Sequence, residues 1–142
     1  MKHLIFIYGT LKKGFPNHSL HMESAEKLGN YQTVENYPLV LIGERYVPCM
    51  INAPGEGKQI EGELYKVDDD CLRRIDALER IKKPDGYRRL KIKVRSVEKH
   101  NAVMLESYAY LISPKFAKDR RSDFLKIYRL DDAKKYKPRK KK

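Results

Sequence analysis

Two places in this chain carry residue types suited to acid–base chemistry on a small anionic molecule. One is Tyr8-Gly9-Thr10-Leu11-Lys12-Lys13-Gly14, which follows the apolar run Leu4-Ile5-Phe6-Ile7. A strand running straight into a glycine-containing turn leaves backbone N–H groups without a ladder partner, and such groups can cradle an anion. Gly9 lets the chain turn tightly and lets a ligand approach the backbone. An ordinary strand-ending turn has the same appearance. The other place is Glu79, beside Leu78 at the end of a helical pattern. The negative end of a helix and partial burial both disfavour a carboxylate, which moves its pKa toward the range of a general base. The alternative is a surface Glu paired with Arg80 or Lys83. Tyr110, within the last long strand pattern, is a third candidate for a substrate-facing hydroxyl, set against a buried Tyr bonded to backbone.

The elements that must position these groups are mostly strands. Residues 2–8 read as the first strand, and Gly14, Pro16 and Asn17 mark a loop. Residues 20–28 have helical or irregular spacing. Residues 32–34, 39–42 and 48–51 are short strand candidates, with Pro48 at a strand start, where the lost N–H does least harm. Residues 59–66 alternate, with polar groups on both faces, as in a strand whose one face lines a site. Asp68, Asp69 or Asp70 can cap the best helix, in which Leu72, Ile75 and Leu78 recur at spacing three. That helix runs out near residues 79–83, before the turn Pro84-Asp85-Gly86. Residues 87–97 alternate strongly, with Leu90, Ile92 and Val94 on one face, and residues 102–112 form the last long strand. Phe124, Leu125, Ile127 and Tyr128 have the spacing of a short terminal helix.

The chain of 142 residues carries a formal net charge of +12. Residues 134–142 hold six Lys, one Arg and no acid, so residues 1–133, with 24 basic and 19 acidic side chains, contribute only +5. The imbalance is mainly a terminal run. We therefore divide the chain into a domain over 1–130 and a basic, disordered tail over 131–142. Such a run can also bind RNA or an acidic partner, which makes a non-enzymatic binding module the competing reading. No apolar stretch reaches about 20 residues, so no membrane helix is expected. Cys49 and Cys71 have neither metal spacing nor a disulfide framework and read as buried free thiols of a cytoplasmic protein.

The segment from Ile5 to Gly14, followed by Pro16-Asn17-His18, resembles the opening of the γ-glutamylcyclotransferase-like (AIG2-like) superfamily. The similarity continues through Tyr37-Pro38-Leu39-Val40, Gly43-Glu44, Pro48, Glu61-Gly62-Glu63-Leu64-Tyr65-Lys66-Val67-Asp68, Leu72, Ile75-Asp76, Glu79 and Tyr87-Arg88-Arg89. It covers residues 3–112 and is strongest toward the γ-glutamylaminecyclotransferase branch. Lys82-Lys83-Pro84-Asp85 departs from the family pattern, and the basic tail lies outside it. The resemblance implies an α+β fold, a compact mixed β-barrel or curled sheet with flanking helices. It also implies cleavage of a γ-glutamyl amide, such as γ-glutamyl-ε-lysine, by the substrate's own α-amine, giving 5-oxoproline and a free amine. Tyr8, Gly9, Thr10 and Leu11 would bind the glutamyl moiety and Glu79 would be the catalytic acid. The nucleophile belongs to the substrate, so neither a metal nor another cofactor is implied. Another γ-glutamyl substrate remains an alternative.

Overall fold

The computed structural model describes residues 1–138. Five strands close a barrel in the order β1 (Lys2–Ile7), β5 (Glu61–Asp68), β2 (Glu26–Thr33), β6 (Arg88–Ser96) and β7 (Leu105–Leu111). The neighbours pair antiparallel except β7 with β1, which meet in parallel at Ile5 and Tyr108. A separate two-stranded ribbon, β3 (Leu39–Ile42) and β4 (Val47–Met50), lies outside the barrel. The α-helices among the described residues are α1 (His18–His21), α2 (Asp69–Leu78) and α3 (Leu130–Ala133), and Pro114–Phe116 forms one turn of 3-10 helix. No described helix is long and apolar enough to cross a membrane.

Side-chain alternation builds two cores from the same strands. Phe6 and Leu64 point into the barrel with Ile92, Val94, Ala109 and Leu111. Ile5, Ile7, Tyr65 and Val67 point outward and are covered by Cys71, Leu72 and Ile75 of α2. Burying each of Leu72 and Ile75 contributes about 1.5–3 kcal/mol, so the helix is held firmly on β1 and β5. Inside the barrel, Gly62 permits the close approach of β5 to the end of β1: a Cβ there would lie 2.4 Å from the Ile7 carbonyl oxygen and 2.8 Å from the Phe6 ring. The Asp68 carboxylate accepts from the Cys71 N–H at 2.8 Å, the expected cap.

Four expectations change. The helical reading of residues 20–28 fails after His21, because Glu26 opens β2, which is paired on both sides and closes the barrel. Its register shifts between Lys27 and Gly29, and that irregularity hides the strand's alternation in the sequence. Residues 124–128 are not helical. They run as an irregular segment whose backbone bonds go to neighbours, Leu125 N–H to the Leu39 carbonyl and Glu61 N–H to the Lys126 carbonyl, both at 2.8 Å. The last strand begins only at Leu105, with Val103 exposed. Finally, residues 131–138 do not form a free tail: α3 spans 130–133, and Lys137 exchanges backbone and side-chain bonds with Arg45. Residues 139–142 of the expected tail lie outside the described residues.

Candidate active site

The turn after β1 is pinned by its own carbonyls. Gly9 accepts from the Lys12 N–H at 3.1 Å, Thr10 from the Asn17 N–H at 2.9 Å, and Leu11 takes the His18 ring nitrogen at 2.9 Å. None of the N–H groups of Gly9, Thr10 and Leu11 donates to an acceptor among the described residues. The end of the loop is anchored by Glu63, whose carboxylate accepts from the Lys13 N–H and the Tyr65 hydroxyl, both at 2.8 Å. Glu63 thus supports the turn from behind. The polar face of residues 59–66 does not line the main cavity, contrary to the sequence reading.

Gly9 is required by a close approach. Its Cβ would sit 2.9 Å from Cγ of Pro48, a rigid ring on β4. Gly9→Ala should therefore push the ribbon away from the turn and cost about 1–3 kcal/mol, the usual range for overpacking. A shift of the urea midpoint checks this, and an unchanged midpoint would mean that Pro48 yields freely.

Glu79 reaches the same cavity because of how α2 stops. Arg80 adopts φ +55° and its N–H bonds to the Ala77 carbonyl at 3.2 Å, while the Ile81 N–H bonds to the Asp76 carbonyl at 3.3 Å. This is a Schellman ending with a non-glycine residue in the left-handed position, a strain of about 1 kcal/mol. The Arg88 guanidinium then ties the loop by donating to the carbonyls of Ile81 and Lys83, each at 3.0 Å. Glu79, at the cap, is half-buried.

One cavity of about 560 Å³ is bordered by Tyr8, Gly9, Thr10, Leu11, Glu79 and Tyr110, all the positions singled out in the sequence. Pro48, Cys49 and Tyr87 complete its inner wall, and Arg45, Tyr136 and Pro138 its outer one. These six were not assigned roles from the sequence. Tyr136 alone offered a signal, an aromatic ring within a lysine run.

The inner wall is a set of neutral acids around the Glu79 charge. Burial, then the Glu79 charge, raises the Tyr8 hydroxyl well above its ordinary pKa. Its proton goes to the Tyr110 carbonyl at 2.7 Å. Tyr87 is likewise raised, chiefly by burial, and donates to the Pro48 carbonyl at 3.0 Å. With that proton committed, the 2.9 Å link between Cys49 and Tyr87 must run from the thiol to the phenol oxygen. Burial pushes the Cys49 thiol up to about 12, so it stays protonated at neutral pH. Tyr110 donates to Asp76 Oδ1 at 2.6 Å, and Arg89 donates to Asp76 Oδ2 at 2.5 Å. Burial and this carboxylate raise the Tyr110 pKa. Its partner is thus a helix carboxylate, not the backbone. Asp76 lies three residues before Glu79, on the same helix face.

These shifts set an alkaline limit. Tyr8, Tyr65, Tyr87, Tyr110, Tyr128 and Cys49 all bind their protons more tightly in the folded chain. Their stabilisation is complete below their unfolded pKa values, about 8.5 for Cys and about 10 for Tyr, and is lost as pH rises through the folded ones. Lys12, lowered to about 8 chiefly by burial, acts oppositely between about pH 8 and its unfolded value near 10.4. Urea midpoints should therefore change little up to about pH 9 and fall steeply above about pH 10, where the tyrosines outnumber Lys12. A midpoint that stays flat to pH 11 would refute the assignment.

The profile of the family described as "Gamma-glutamyl cyclotransferase, AIG2-like" matches residues 5–131. The chain belongs to this family. It is 40% identical over 98 residues to a gamma-glutamylaminecyclotransferase of Rattus norvegicus, covering 66% of this chain and 64% of the relative. It is 44% identical over 96 residues to gamma-glutamylaminecyclotransferase C of Danio rerio, covering 65% and 62%. The chain thus spans just under two thirds of the length of these curated relatives. Among solved structures, an AIG2-like protein from Mus musculus matches with a TM-score of 0.83 and 29% identity, covering 99% of each chain. This family member carries the family's barrel, with the cavity at the junction of the 8–11 turn and the end of α2.

Proposed function

We propose that the chain is a cyclotransferase acting on γ-glutamyl amines, releasing 5-oxoproline and a free amine. The observation that carries this reading is the meeting of Glu79 and the 8–11 turn in one cavity. The names of the relatives support the same reaction class.

In this reading the N–H groups of Gly9, Thr10 and Leu11 hold the substrate's carboxylate or the oxyanion that develops at its γ-carbonyl. Glu79 takes a proton from the α-amine. The amine nitrogen attacks the γ-carbonyl carbon, and the oxygen gains the electron pair. The oxyanion then collapses, the bond to the leaving nitrogen breaks, and that nitrogen receives the proton from Glu79. No water is consumed. Tyr8, Tyr87, Tyr110 and Cys49 keep their protons at neutral pH, so Glu79 acts as the proton carrier beside the turn. Holding the substrate curled in a cavity of this size supplies proximity, about several kcal/mol of the barrier.

Incubation with a panel of γ-glutamyl amines and γ-glutamyl dipeptides, with assay of 5-oxoproline, tests the proposal. Release from the amines supports it, release from dipeptides alone would move the leaving group to an α-amino acid, and no release from any compound would reject it.

A further inference from the structure

The segment after α3 closes one side of the cavity. Lys137 and Arg45 are joined twice: the Lys137 N–H donates to the Arg45 carbonyl at 2.9 Å, and Arg45 Nε donates to the Lys137 carbonyl at 2.8 Å. Arg45 belongs to the turn between β3 and β4, and its guanidinium also lies 5.8 Å from the centre of the Tyr136 ring. On the other side, Asn17 Nδ2 donates to Thr10 Oγ1 at 2.8 Å and to the Tyr136 hydroxyl at 3.3 Å. One amide therefore links the anion-cradling turn to Tyr136. The half-buried Tyr136 and the following Pro138 both border the cavity. The segment spans from the 10–17 loop to the ribbon turn as a strap. Its upstream end is fixed by α3, where Ala133 packs on the barrel core.

The geometry points to the strap, with Tyr136 as its central residue, as the determinant of how large a leaving amine the cavity admits; this inference rests on the proposed cyclotransferase reaction. A sheet-borne cavity open between Asn17 and Arg45 would let an amine's substituents run out along the surface. With Tyr136 and Pro138 in place that exit is fenced, and the space left suits one free small molecule. The strap therefore favours a γ-glutamyl amine whose amine is itself a free metabolite, and disfavours one whose amine belongs to a longer peptide. Arg45 and Tyr136 hold this selectivity jointly: either loss loosens the fence.

Two probes and three proteins test this. The probes are free γ-glutamyl-ε-lysine and the same γ-glutamyl-lysine unit placed within a peptide several residues long. The proteins are the full chain, Tyr136→Ala and Arg45→Ala. The ratio of kcat/KM for the free compound over the peptide should be at least about tenfold in the full chain and should fall at least about fivefold in each variant, a discrimination typical of pocket walls. Amide hydrogen exchange should show Lys137 protected in the full chain and exchanging faster in Arg45→Ala, which keeps the backbone carbonyl acceptor but loses the Nε donor and the contact with the Tyr136 ring. An unprotected Lys137 amide in the full chain, or an equal ratio in all three proteins, overturns the proposal. If neither probe yields 5-oxoproline while Lys137 is protected, it is the cyclotransferase reaction that fails, and the selectivity fails with it.

Discussion

Glu79→Gln is expected to lower turnover of a γ-glutamyl amine at least about 100-fold, the lower end of general-base contributions. The exchange keeps the shape of the side chain and removes its capacity to carry a proton. Glu79 sits at the C-cap of α2 with Tyr8, Cys49, Tyr87 and Tyr110 close enough for its charge to raise each of their pKa values. Folding should change little, because the carboxylate is only half-buried and the helix is secured by Leu72 and Ile75. The same substitution should also lower the pKa values of Tyr8 and Tyr110 slightly, since it removes a negative neighbour. Steady-state assay of 5-oxoproline with the urea midpoint as a control decides the matter. Near-normal turnover would move the proton-carrying role to another group.

The second large effect is on stability. Asp76→Ala should cost about 2–4 kcal/mol, somewhat under the range for fully buried pairs. Asp76 is 16% and Arg89 27% exposed, so some solvent reaches both. The variant leaves the Arg89 guanidinium, stacked 4.7 Å from the centre of the Tyr108 ring, without its counter-ion. It also leaves the Tyr110 hydroxyl without its acceptor inside the fold. Turnover should fall as well, because Tyr110 forms part of the cavity wall and its backbone carbonyl holds Tyr8. Asp76→Asn, which retains an acceptor for Tyr110, should lose less than half as much. A urea midpoint for Asp76→Ala within about 0.5 kcal/mol of the parent, the level of a surface substitution, would show that α2 and β7 are held together by packing alone.

Local pattern was enough to single out six residues that border one cavity. A strand that ends in Tyr8-Gly9-Thr10-Leu11 and an acid-capped helix that ends at Glu79 are both short-range features. Strand alternation and capping chemistry act over a few residues and leave their mark in the sequence. The inward face of β6 could be read in the same way, and the cap of α2 was narrowed to Asp68, Asp69 or Asp70. The similarity of ordered motifs along residues 3–112 pointed to the family whose profile the chain matches. What the sequence concealed depends on partners far along the chain. Residues 26–28 are strand because β5 lies against them, and the irregularity at Gly29 breaks the period that would have revealed it. Residues 124–128 satisfy their backbone against Leu39 and Glu61, so apolar spacing was a false sign of a helix.

The same reason explains the site's remaining members. Gly9 is needed because Pro48 lies against it, 39 residues later in the chain. Tyr110 meets Asp76 only after the barrel closes. The charge of residues 134–142 suggested a solvated run, and by composition alone that is the natural reading. Tyr136 changes the balance for residues up to 138, because its ring and the Arg45–Lys137 pairing find a surface that exists only once the ribbon and the 10–17 loop have come together. The sequence by itself determined which local groups can do chemistry; only the tertiary structure decided which of them share a cavity and what closes it, because hydrogen bonds and packing between distant segments leave no periodic trace in the chain.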